Sequence, residues 1–452
     1  MKRLLALLVL TAAAQLANAA PISDKYAQLG GAGGFLGSPT IPETTAPDGI
    51  GKFRHYQHGS IYWHPETGAR EVHGLIRQRW AQLGWEQSYL GYPITDEIDL
   101  VDGSGRVSRF KGGELIWRSA TNQVSEVKST DLVVDLPFPI GEAWVIGQTN
   151  AVTPTDSHRD QFAYCWDLNF AQGASKGRPI VATATARIAY VEQGLASGDS
   201  NPGNVIVQRY GEGRYASYLH LAQGSYTKEF TKDPQIVFPP QVLGWDTRPV
   251  PATGTTLADV GDTGTGVGNY HLHYCVTTTP DRKAYGPFES VPVAFRNYSM
   301  STNNGATWKY VAVGIPHSGQ WVRREQPKAG QQATPQVNAA AVTISHGAVN
   351  GKVAAGDGKP TGLGKITIVL LSAWGEPLKK QTINVPFNNL NGPWSFHFND
   401  VPAYNGLKLV ATYNGPWSVA ADFVNAEGGA FNLAPNGTAA APELTLKTTL
   451  IK

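Results

Sequence analysis

The alternation of apolar and polar positions predicts strands over most of this chain. Residues 179–191 (PIVATATARIAYV) alternate and are rich in β-branched side chains, which predicts a strand. Residues 203–210 (GNVIVQRY) and 214–221 (RYASYLHL), joined by Gly211-Glu212-Gly213, predict a β-hairpin. No long segment carries the 3.6-residue period of a helix. From Pro327 to Asn338 the text shifts to Gln, Ala, Pro and Gly, as expected of a linker. Beyond it, short apolar runs at 365–371 and 407–413 are separated by turns such as 388–393, which predicts a β-sandwich. No catalytic cluster is visible there, so a carbohydrate- or surface-binding or a stabilising role is expected.

The first 19 residues stand apart. Lys2 and Arg3 precede an apolar stretch at 4–10 and an Ala17-Asn18-Ala19 cleavage pattern, which reads as a secretory signal peptide. The stretch is shorter than the ~20 residues a membrane span needs. The expected location is therefore secreted, periplasmic or cell-wall associated, where a disulfide persists.

Between the leader and the strand-rich centre the chain repeats itself at an offset of 54 residues, from Ile22 to Ile76. ISDKYAQL at 22–29 returns as IRQRWAQL at 76–83, and Leu36-Gly37-Ser38-Pro39 returns as Leu90-Gly91-Tyr92-Pro93. Gly59 and Trp63 return as Gly113 and Trp117. Each unit predicts a short helix, a Leu-Gly-x-Pro turn and a strand pair, and units this small bury a core by stacking. These units resemble LGFP repeats of secreted, cell-wall-associated proteins, with Ser38 and Tyr92 where the family has Phe. The resemblance implies a wall-binding module whose aromatic and His residues contact glycan or peptide; a folding spacer is the competing reading.

Composition narrows the function classes. Charged residues are 16% of the 452, and the net charge is +2, which excludes a polybasic nucleic-acid binder and an acidic disordered chain. Gly (50) and Pro (30) favour turn-rich β architecture. Two cysteines make neither a disulfide scaffold nor a thiolate metal cluster. The expected fold is mainly β. It comprises a small α+β repeat module at 20–128, a central antiparallel β-sheet domain at 129–326, a linker at 327–340 and a C-terminal β-sandwich at 341–452.

The candidate chemistry is histidine-based. In His271-Leu272-His273 strand alternation puts both imidazoles on one face. His220 lies in Tyr218-Leu219-His220-Leu221, His158 follows Asp156-Ser157, and Asp167 lies in Tyr164-Cys165-Trp166-Asp167-Leu168. Imidazole and carboxylate donors suit zinc. In order, His158…Asp167, the run Gly177-Arg178-Pro179-Ile180-Val181-Ala182, Tyr218-Leu219-His220-Leu221 and Gly261-Asp262-Thr263-Gly264…His271-Leu272-His273 resemble the pattern of lysostaphin-like (LytM-type) zinc endopeptidases. The resemblance implies one zinc ion held by His158, Asp167 and His273, with His220 and His271 as catalytic histidines. It implies hydrolysis of peptide bonds in peptidoglycan stem peptides or cross-bridges, with zinc-bound water as nucleophile. The expected partner is peptidoglycan, and the expected protein is a monomer with no membrane span and no nucleic-acid partner. The alternative is a non-catalytic wall-binding or hydrolase-regulating relative. Two departures stand out: eight residues separate His158 from Asp167 where many members have three, and Tyr270 precedes His271 where many have Pro.

If, as the resemblance implies, Asp167 and His273 bind one metal on paired antiparallel strands, Cys165 and Cys275 are opposed two residues further along. A Cys165–Cys275 disulfide is then expected. Competing motifs are weak. Gly173-Ala174-Ser175-Lys176-Gly177 lacks the helix that a nucleophile elbow needs. The Gly261–Gly266 run has no P-loop Lys. His55, His58 and His64 are expected as loop histidines, solvated or touching ligand. His317, His346 and His397 are expected at the surface or hydrogen-bonded.

Overall fold

A computed structural model describes residues 21–150, 156–198, 203–227, 248–280, 288–328, 344–356, 364–386, 389–414 and 424–448. The expected leader and almost all of the expected linker lie outside the described residues. The fold is mainly β, built from several largely antiparallel sheets. Among the described residues no helix is long and apolar enough to cross a membrane.

The sequence repeat is a structural repeat. Helix Pro21–Gln28 and strands Thr44–Thr45, Lys52–His55, Gly59–His64 and Gly68–His73 make a helix and a four-stranded meander. Helix Gly74–Leu83 and strands Ile98–Asp99, Gly105–Phe110, Gly113–Arg118 and Gln123–Lys128 make the same again. The Leu-Gly-x-Pro turns need a left-handed residue, and Gly37 (φ 70°) and Gly91 (φ 68°) supply it. Each unit has a small core of its own, around Leu36 and Ile61 in the first and Val107 and Ile116 in the second, and a larger core is shared between them. Trp80 and Ile76 of the second helix pack with Tyr62 and Val72 of the first sheet and with Phe110 and Leu115 of the second. His55 and His64 end strands rather than sitting on loops. His55 bonds Ser60 Oγ at 2.7 Å, and His64 is buried, because the meander is longer than the predicted strand pair.

The centre is a ten-stranded sheet. Its order is Arg187–Glu192, Val205–Gly211, Arg214–Leu219, Leu272–Thr277, Trp166–Phe170, Ala143–Gln148, Trp321–Arg324, Ala294–Ser301 and Lys309–Gly314. Val133–Val134 joins Ala294–Ser301 in parallel, and the other pairings of this sheet are antiparallel, as expected. The expected hairpin is present, with Val205 opposite Leu219 and Arg209 opposite Tyr215. The run at 179–191 is not one strand. Pro179–Val181 pairs with Thr256–Asp259 in a separate two-stranded sheet, and only Arg187–Glu192 joins the large one. In between, the Thr183 amide donates to Tyr218 Oη at 3.0 Å, while Ala182, Ala184 and Ala186 stay buried. Residues 180–184 are all buried, so the chain is enclosed on both sides where the pairing breaks.

The sheet's two faces have different jobs. Leu272, Tyr274 and Val276 point into the main core with Trp144, Trp166 and Leu168. On the other side Val205, Val207, Tyr215 and Leu219 share a second core with Ile366, Ile368, Trp374 and Tyr404 of the C-terminal region. That region is one eight-stranded sheet running from Pro377–Asn384 to Trp394–Pro402. Its end strands meet again, since the His397 amide donates to Gln381 Oε1 at 3.1 Å. The expected sandwich is thus a sheet folded over itself, and it includes parallel pairings of His346–Ala355.

The disulfide Cys165–Cys275 joins adjacent strands at a Cα separation of 4.4 Å, the spacing of a non-hydrogen-bonded antiparallel pair. It follows the register in which Asp167 faces His273 and Trp166 faces Tyr274. Thiol titration of denatured, unreduced protein is expected to find no free thiol, and two after reduction. Replacing both cysteines by Ser is expected to cost about 2–5 kcal/mol in urea unfolding.

Candidate metal centre

Three neighbouring strands and one loop bring the predicted residues together. Asp167 lies on Trp166–Phe170, opposite a register shift in the neighbouring strand between Ile146 and Gln148, the kind of irregularity that re-aims side chains at a site. His273 lies on Leu272–Thr277, and His271 immediately precedes it. His220 follows Arg214–Leu219 in a left-handed conformation, φ 62°, rare for a residue with a Cβ and characteristic of functional sites. His158 comes from the segment before Trp166–Phe170. All four histidines are buried or nearly so.

The donor atoms converge. His273 Nδ1 is 3.0 Å from Asp167 Oδ1. His158 Nε2 is 3.2 Å from that oxygen and 3.2 Å from His273 Nδ1. His271 Nε2 is 3.5 Å from Asp167 Oδ1. The His220 ring lies 4.7 Å from that of His271 and 5.9 Å from that of His273. Backbone carbonyls set the tautomers. His158 Nδ1 faces Cys165 O at 3.1 Å, His220 Nδ1 faces Thr263 O at 2.8 Å, and His271 Nδ1 faces Asn269 O at 3.1 Å. Each Nδ1 therefore donates to its carbonyl, which leaves the three Nε2 atoms for other partners.

The residues present fit a metal ion. With Nδ1 turned to Cys165 O, His158 directs Nε2 toward a carboxylate oxygen and toward a second imidazole nitrogen. That arrangement is repulsive without a cation or a proton among the three atoms. A tetrahedral ion roughly 2.0 Å from each donor needs donors about 3.3 Å apart, close to the separations observed. Two imidazoles and one carboxylate are a set that zinc accepts. Cys165 and Cys275 also lie beside His273, but their sulfurs are bonded to each other and offer no thiolate.

Burial and neighbouring charges tune the groups. Burial alone would raise the Asp167 carboxyl, but hydrogen bonds from His158 and His273 reverse this and hold it well below the usual carboxylate range. Burial, then the His273 and His271 imidazoles, push His220 down to about 3. His271 is lowered chiefly by burial. Both rings are neutral at pH 7 and able to accept a proton.

Sequence reasoning missed the carbonyls of Thr263, Asn269 and Cys165, which orient three of the rings. The Gly261–Gly266 run holds the first of these, so its role is to fix His220. Ser175 is buried, accepts the Phe170 amide at 2.9 Å and precedes a strand, as a structural serine does. His346 bonds Glu212 at 2.6 Å, and His397 sits between Asn350 and Asn399. A separate cleft of about 950 Å³ opens between the two repeats, lined by Phe35, His58, His73, Arg77, Glu97 and Arg106 among others.

With this geometry established, comparison with known proteins adds the following. The LGFP repeat family matches residues 36–88 and 90–130. The chain carries LGFP repeats. No curated protein matches it. Among solved structures, a zinc-containing peptidase from Vibrio cholerae is similar over 50% of this chain and 53% of its own, at 12% identity and a TM-score of 0.18. This chain thus spans about half the length of that protein, and a likeness at that level carries no argument about function.

Metal addition checks the centre. Zinc added to chelator-stripped protein is expected to raise its melting temperature, because a ligand that binds only the folded state stabilises it. Asp167→Ala removes the one anionic donor and is expected to abolish the rise. An undiminished rise in that variant would place the metal elsewhere.

Proposed function

We propose that this protein is a secreted zinc metalloendopeptidase that hydrolyses peptide bonds in peptidoglycan stem peptides or cross-bridges, held at the wall by its LGFP repeats. The observation that carries the reading is the meeting of His158, Asp167 and His273 at one point with two further neutral imidazoles beside them. The ordered resemblance of the same segments to lysostaphin-like endopeptidases supports it. His158, Asp167 and His273 would hold the ion. Zinc, when bound, supplies Lewis acidity and a water acidic enough to ionise near neutral pH.

The chain's own residues do the rest. His220 and His271 each present Nε2 as an acceptor, one to take a proton from the attacking water and the other, once protonated, to donate to the developing oxyanion or the leaving amine. The Thr263 and Asn269 carbonyls hold these rings in place, so little reorganisation accompanies the reaction. Asp167 stays ionised throughout, since its carboxyl lies well below the working pH. The disulfide ties together the two strands that carry Asp167 and His273.

The repeats supply the second half of the proposal. Phe35 is 47% exposed and packs against His73 at 5.0 Å in the cleft between the units. An exposed aromatic beside polar side chains suits a glycan or peptide surface. Phe35→Ala is expected to weaken co-sedimentation with insoluble peptidoglycan while leaving cleavage of a soluble peptide unchanged.

Digestion of purified peptidoglycan tests the catalytic half. His271→Ala and His220→Ala are each expected to slow cleavage about 100- to 10,000-fold while keeping zinc near one ion per chain. Chelation is expected to abolish cleavage. Wild-type protein that binds zinc yet cleaves nothing would instead be the non-catalytic wall-binding relative. Equal digestion by wild type and His273→Ala would refute the zinc assignment.

A further inference from the structure

The second LGFP repeat reaches the loop that carries His158. Arg109, on strand Gly105–Phe110, is completely buried, although a guanidinium normally stays in water. Its Nη1 donates to the carbonyl of Asp160, two residues after His158, at 2.8 Å. Its Nη2 pairs with Glu289 of the central domain, and its Nε lies 3.4 Å from Glu114. Glu289 also accepts the Val101 amide of the repeat at 2.8 Å. Asp160 itself has φ 51°, a left-handed conformation that surrounding contacts must maintain.

Tyr164 makes a second tie. Its ring is buried beside the repeat, and its hydroxyl bonds the carbonyls of Phe110 (3.1 Å) and Gly113 while facing the Phe110 amide at 3.2 Å. The next residue, Cys165, accepts His158 Nδ1. The first repeat adds a third contact. Asn150 donates from Nδ2 to the Glu66 carbonyl at 3.0 Å, and its amide donates to Ala163 at 3.2 Å. Within the eight residues between His158 and Asp167, the repeats thus hold Asp160 and Tyr164 directly and Ala163 through Asn150.

We propose that the repeat module is a structural part of the metal centre, with Arg109 and Tyr164 as positioning residues that hold the His158 loop in its ligating geometry. This rests on the zinc reading above. The physical reason is that His158, unlike Asp167 and His273, lies outside the paired strands, so the ladder does not fix it. Bonds from outside the sheet do so instead. An Arg109 fork addresses the Asp160 carbonyl and the Glu289 carboxylate together, which a lysine ammonium on a flexible stem does less well.

The test uses the full chain and two mild variants. Arg109→Lys keeps the charge beside Glu289, and Tyr164→Phe keeps the buried ring. Two readouts are taken: zinc affinity by chelator competition, and amide hydrogen exchange of residues 156–165 in metal-stripped protein. Each variant is expected to bind zinc about 10- to 100-fold more weakly, with faster exchange confined to 156–165. A purely structural role would lower the melting temperature while leaving zinc affinity and the exchange of that loop as in wild type, and that result overturns the proposal. Tyr164→Phe decides the matter if Arg109→Lys does not fold. Wild type that binds no zinc refutes the zinc reading, whereas unchanged exchange of 156–165 in the variants refutes the clamp.

Discussion

The structure depends on one antiparallel register, the pairing of Asp167 with His273. Antiparallel pairing is all-or-none in the face it presents, because a slip of one residue turns every side chain over. In this register the carboxylate and the imidazole share one face, Leu168 and Leu272 share the other, and Cys165 meets Cys275. The same choice therefore builds the core, the disulfide and two thirds of the donor set. It is long-range, and the covalent cross-link beside it closes a loop of 110 residues, which carries a large loop-closure entropy.

Around that pair, the sheet divides its work by face. One side is sealed by the aromatic core of the central domain. The other carries the histidines, and its flank is covered by the C-terminal region through Tyr215, Leu219 and Trp374. The LGFP repeats occupy another border through Arg109, Glu289 and Tyr164. A buried ion pair is weak evidence for stability, since desolvation opposes the attraction. The network of Arg109, Glu114 and Glu289 is better understood through what it orients, namely a backbone carbonyl next to His158. The three regions pack against one another rather than forming a string of modules, and residues of all three come together around Asp102, Glu289 and Ser345.

Much of this was legible in the sequence, for identifiable reasons. The 54-residue repeat appears as two superposable helix-and-meander units, since identical local patterns meet identical packing demands. His-Leu-His puts both imidazoles on one side because strand alternation is a local property. Legibility failed where pairing, rather than pattern, decides. Residues 179–191 alternate in sequence, yet residues 180–184 are all buried and the chain changes sheets between Val181 and Arg187. His55 and His64 looked like loop residues but end strands of a larger meander.

By itself, then, the sequence marked the candidate residues and put His271 and His273 on one side of the chain, since periodicity and side-chain type are written residue by residue. Only the tertiary structure decided how those residues are held. The carbonyls of Thr263, Asn269 and Cys165 choose the tautomers, and a carbonyl has no signature in the letter that bears it. The docking of the repeats on the His158 loop likewise joins segments far apart in the chain. A fully buried Arg109 reads in sequence as one more surface arginine, because burial belongs to the folded neighbourhood and not to the residue.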